Sequence, residues 1–77
     1  MNLSDHQVFI YKFKEERVLH AVYKAFKTIN AKLVVDPQNL LLKVDALTIT
    51  SKEDAIRLAN QSLADDDQGS FTVREVA

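Results

Sequence analysis

The sequence predicts an α+β fold of βαββαβ order, the split βαβ or ferredoxin-like arrangement: a four-stranded antiparallel sheet with two helices on one face. Three observations predict it. Short runs rich in β-branched and aromatic residues alternate with two longer stretches of helical period. One Gly and one Pro in 77 residues leave little punctuation, so most of the chain belongs to regular elements. Finally, Asp36-Pro37 fits the first two positions of a type I turn, so the apolar runs on either side of Asp36-Pro37-Gln38-Asn39 read as a hairpin with a four-residue loop.

Residues 6–13 read as the first strand, yet their alternation fails. Val8 and Ile10 line one side, while Phe9, Tyr11 and Phe13 line the other. We expect Val8 and Ile10 to face the helices and the three rings to lie on the open face, near Leu41 of the third strand. A rival reading starts from Ser4 and Gln7, which fit a capping box and would open one long helix near Asp5. That helix would strand Ile10 and Phe13 away from the apolar stripe that follows, so the strand is preferred.

Residues 15–29 have the period of an amphipathic helix. Val18, Leu19, Val22, Phe26 and Ile29 make its apolar stripe, and Arg17, His20, Lys24 and Lys27 fall on the opposite side. Its start lacks a Ser, Thr, Asp or Asn cap. Next come Lys32-Leu33-Val34-Val35 and Leu40-Leu41-Leu42-Lys43-Val44, joined by the Asp-Pro turn, where Asp bonds the backbone ahead and Pro presets φ. After Val44 the apolar positions shift from even to odd numbers, at Leu47 and Ile49, which calls for a bulge or break near Asp45-Ala46.

Ser51 then caps a second helix, with Glu53 and Asp54 in the first turn, where the helix dipole favours acids. Ala55, Ile56, Leu58, Ala59 and Leu63 form its buried face. The helix should stop before Asp65-Asp66-Asp67, because carboxylates at a helix C-terminus oppose the dipole. Gly69 turns the chain into a last alternating strand over residues 71–76.

Seventy-seven residues form a single domain (1–77), near the size at which one core becomes marginal. Chains this small lean on disulfides, a metal or oligomerisation. The absence of cysteine removes disulfides, thiolate metal sites and cysteine nucleophiles; oligomerisation remains, and 47% hydrophobic residues are compatible with it. The N-terminus lacks the features of an export signal, and no apolar stretch approaches the roughly 20 residues of a membrane span. Cytoplasmic residence, without membrane contact, is the expectation. Charge is unevenly placed: residues 1–35 carry six Lys/Arg against three acids, and residues 36–77 carry four against eight.

Chemistry-bearing motifs are scarce. His6 and His20 lack ligand partners at metal spacing. Asp65-Asp66-Asp67-Gln68-Gly69 starts like a calcium loop but lacks the later oxygen ligands and the closing Glu. No serine or threonine sits in an elbow motif, and one glycine cannot build a phosphate loop. Glu15-Glu16 and Glu53-Asp54 lie at helix starts, where the dipole alone accounts for them. Val8-Phe9-Ile10-Tyr11 superficially fits the first signature of the RNA-recognition motif, but Leu40-Leu41-Leu42-Lys43-Val44 has neither the glycine nor the aromatics of the second.

The sequence therefore points to a non-enzymatic interaction domain without cofactor or metal. We expect it to be a homodimer packed sheet on sheet through Phe9, Tyr11, Phe13 and Leu41, with another protein as a further kind of partner. The alternative is a nucleic-acid-associated accessory protein holding phosphates through Arg17, His20, Lys24 and Lys27, with Lys32 as a further contact. Added salt separates the two, since phosphate contacts weaken steeply with it.

Overall fold

A computed structural model describes residues 8–29, 31–46 and 49–76. Within them lie β1 (Val8–Phe13), α1 (Glu16–Phe26), β2 (Lys32–Asp36), β3 (Leu41–Asp45), α2 (Lys52–Gln61) and β4 (Phe71–Val76). All neighbouring strands are antiparallel, in the order β2-β3-β1-β4, so β3 and β1 are central and β2 and β4 are edges. The architecture is the ferredoxin-like βαββαβ fold that the element order predicts. A continuous helix through residues 8–13 is ruled out by β1; Ser4, Gln7 and His6 lie outside the described residues.

Local chemistry accounts for the element ends. α1 has no side-chain cap, as its sequence implies, whereas the Ser51 hydroxyl accepts the Asp54 N–H at 3.1 Å to cap α2. In the hairpin, Asp36 Oδ1 accepts the Asn39 N–H (3.4 Å) and Oδ2 accepts from Asn39 Nδ2 (2.8 Å). Leu40 follows in the left-handed region at φ +55, a conformation that costs a non-glycine residue about 1–2 kcal/mol. Its carbonyl gains the Phe13 N–H at 2.9 Å, which extends the β1–β3 ladder by one bond. The expected break after Val44 falls at Asp45, where β3 ends; Leu47 and Thr48 lie outside the described residues.

The acidic run forms a single 3-10 turn, Asp65–Asp67, beyond the end of α2. Gly69 there adopts φ +81, and its N–H donates to Asn60 Oδ1 at 3.0 Å, folding the connection back onto α2.

One side of the sheet carries the core. Phe9, Tyr11, Phe13, Leu42, Val44, Phe71 and Val73 meet Val18, Leu19, Val22 and Phe26 of α1, with Ala55 and Ala59 of α2. Ile56 and Leu58, expected on the buried face of α2, are only partly buried against it. No helix among the described residues is long and apolar enough to cross a membrane.

Candidate interaction surface

The two sides of β1 are the reverse of what its composition suggests. Phe9, Tyr11 and Phe13 are 0%, 0% and 3% exposed and point toward the helices. They belong to the internal core, and the expectation that they form a docking surface is corrected. Tyr11 is the hub. Its ring lies 6.0 Å from Phe13, 5.5 Å from Phe26 and 5.9 Å from Phe71, centroid to centroid. Its hydroxyl donates to the Ala55 carbonyl of α2 at 2.8 Å, and burial pushes the phenol above its ordinary range.

The reason for the reversal is legible in charge. Lys12 shares parity with Val8 and Ile10, and Lys43 and Arg74 occupy the same side through their pairing with Ile10. A lysine cannot be sheltered beneath two helices without a partner, so the side holding Lys12 must be the solvated one.

That open face is a three-row array. Val34, Lys43, Ile10 and Arg74 cross the middle; Asp36, Leu41, Lys12 and Thr72 form one outer row, and Lys32, Asp45, Val8 and Val76 the other. Ile10 sits on a central strand, half-buried by its neighbours. Leu41, alone of the four expected interface residues, does lie here. At 60% exposure, Val34 is the most solvated large hydrophobic side chain among the described residues. A recess of about 320 Å³ is lined by Ile10, Lys12, Leu41, Thr72 and Arg74. No ion pair among the described residues engages Lys12, Lys32, Lys43 or Arg74.

The basic stripe of α1 is differently placed. Arg17 is clamped: Nη1 and Nη2 donate to the two oxygens of Asp67 at 2.6 and 2.9 Å, and Nε donates to Glu15 Oε1 at 2.9 Å. This bidentate pair holds the Asp67 carboxyl below the usual carboxylate range. His20 Nε2 stands 3.5 Å from Glu16 Oε2, and Lys27 Nζ lies 5.4 Å from the Tyr23 ring centroid. Lys24 is exposed, and Lys32 sits on the opposite layer of the molecule. Lys32 therefore does not join the other four residues on one surface.

No family model, curated protein or solved structure matches the chain.

Among the described residues no three His, Cys, Asp or Glu side chains gather as a metal site would require. Composition alone missed Val8, Ile10, Val34 and Val76 as surface residues. The signal that finds them is the parity of the charged residue within each strand.

Proposed function

We propose that this protein is a non-enzymatic, cytoplasmic interaction domain that binds a second copy of itself through the helix-free face of its sheet. One observation carries the reading: both helices pack on the other side, leaving Ile10 at mid-sheet with Val8, Val34, Leu41 and Val76 around it, none of them fully buried. Apolar side chains gathered on one uncovered surface gain free energy from a partner. Lys12, Lys43 and Arg74 share this face, and the apolar stems of such side chains can lie along a surface while their charged ends stay in water. A cysteine-free chain suits a reducing compartment.

Area sets the expected strength. Four strands about 4.8 Å apart and five or six residues long make a flat footprint of roughly 300 Å². A standard interface buries about 800 Å² per partner, so face packing belongs to the weak, reversible class. Sedimentation over a range of protein concentrations tests it. We expect a reversible dimer that Ile10→Asp disrupts while the chain still folds, because Ile10 is outside the core. The face carries Lys12, Lys32, Lys43 and Arg74 against Asp36 and Asp45, so added salt should leave face packing unchanged or tighten it. A monomer at all concentrations sinks the reading; retention of RNA or DNA that fades steeply with salt would replace it with the phosphate-binding one.

A further inference from the structure

We propose that β2 pairs with β2 of a second copy, antiparallel about a twofold axis through Val34, joining two sheets into one of eight strands. This rests on the self-association reading only in that the partner is another copy; the surface is the sheet edge, not the face.

β2 ends the strand order, so among the described residues one of its sides has no strand beside it. Edges left open recruit strands, and proteins blunt them with an internal proline, a bulge, charged side chains or a covering segment; the two charges of β2, Lys32 and Asp36, stand at its ends. β2 contains no proline, and its register with β3 runs unbroken from Lys32↔Asp45 to Asp36↔Leu41. What it has is self-complementarity. Reversing Lys32-Leu33-Val34-Val35-Asp36 against itself about Val34 sets Lys32 opposite Asp36 of the other copy, at both ends. Leu33 then meets Val35, and Val34 meets Val34.

Opposite residues in a ladder share a side of the sheet. Lys32, Val34 and Asp36 all lie on the open side, and Leu33 and Val35 on the helix side, so every pair matches in chemistry and in facing. A slip of one residue would pair inward side chains with outward ones. A slip of two sets Lys32 or Asp36 opposite Val34 and loses both charge pairs. The other edge fails the same test. β4 centred on Val73 sets Thr72 against Arg74 and Phe71 against Glu75, and centred on Arg74 it opposes two arginines. Pairing at β2 also accounts for Val34, whose 60% exposure ends at the axis. All four helices would stay on one side, and the open face would double in width.

The chain has no cysteine, so Val34→Cys introduces a single thiol. Directly opposed residues in an antiparallel ladder have Cα atoms about 4.5 or 5.5 Å apart, within disulfide reach, whereas sheets packed face to face stand about 10 Å apart. We expect mild oxidation of Val34→Cys to give a disulfide-linked dimer rapidly, and Arg74→Cys on β4 to do so far more slowly. Lys32→Glu and Asp36→Lys should each weaken association about tenfold, and an equimolar mixture of the two should restore it, because both pairs then reunite opposite charges. Asp36→Lys also removes the Asn39 contacts, so its fold is checked by circular dichroism; should it not fold, the two cysteine variants decide alone. Equal cross-linking at positions 34 and 74 overturns the proposal. So does a dimer indifferent to Lys32→Glu, or one abolished by Ile10→Asp, and either result leaves the face reading standing. Preferential cross-linking at 34 in a chain indifferent to Ile10→Asp supports the edge and ends the face reading.

Discussion

The two sides of β1 are built from the same six residues and meet opposite fates. Phe9, Tyr11 and Phe13 turn inward and are almost completely buried, while Val8, Ile10 and Lys12 turn outward and none is buried. Both sets contain large apolar groups, so hydrophobicity alone does not choose between them. Volume and charge choose. The three rings bring the area that a small core needs, since aromatic side chains bury about 150–250 Å² each. Lys12 marks the other parity as solvated. The core is therefore made from the richer side, and the poorer side is left outside it.

Substitutions should divide along this line. The largest effect belongs to Phe9→Ala, which removes a fully buried ring from beneath the helices and should destabilise the fold by about 3–5 kcal/mol. Domains of this length hold about 4–11 kcal/mol in total, so the variant should be largely unfolded or close to it. Ile10→Ala, one residue along, should cost under about 1 kcal/mol. Urea denaturation followed by circular dichroism compares them; equal losses would mean that the two sides are not distinct.

Tyr11→Phe sharpens the same contrast at a smaller scale. It keeps the ring stack and deletes only the hydroxyl that bonds Ala55, an expected loss of about 1 kcal/mol. It also carries a pH signature. Burial raises the Tyr11 phenol above its ordinary value near 10, so ionisation is easier in the unfolded chain. The stabilisation is complete below about pH 10 and is lost as pH rises beyond it. Thermal melts from pH 8 to 11 should show the native chain losing more stability than Tyr11→Phe; parallel curves would place Tyr11 in water.

How far the sequence reveals all this depends on which physical rule each segment obeys. The helices were readable because a stripe of period 3.6 and a serine cap each have one interpretation, and the hairpin because Asp-Pro fixes a turn. The facing of β1 is harder. Period 2 splits residues into two sets but does not say which is inside, and Phe-Tyr-Phe satisfies either a core or an exposed aromatic platform. Lys12 decides it, together with Lys43 and Arg74, whose side is known only once strands are paired. The tie between Arg17 and Asp67 spans 50 positions and has no local signature at all. The charge match of Lys32 with Asp36, by contrast, is present in five consecutive residues and needs only the knowledge that β2 is an edge.

The smallest expected effect contrasts the layers by their charges. On the helix side Arg17 fastens the start of α1 to the acidic turn through Asp67; on the open side Lys12, Lys43 and Arg74 have no carboxylate partner among the described residues. Because Arg17 holds Asp67 below the usual carboxylate range, the pair contributes fully above about pH 4 and is lost as pH falls through the lowered value. Melting temperature measured from pH 5 down to pH 2 should fall slightly more steeply for the native chain than for Arg17→Ala. Arg74→Ala should follow the native curve, since no acid in the described structure depends on it. Arg17 is largely exposed to solvent, so the separation is expected to be slight and to shrink further in high salt. If Arg74→Ala flattens the acid limb as much as Arg17→Ala does, the open face carries a structural ion pair of its own and is less free for a partner than the face reading requires.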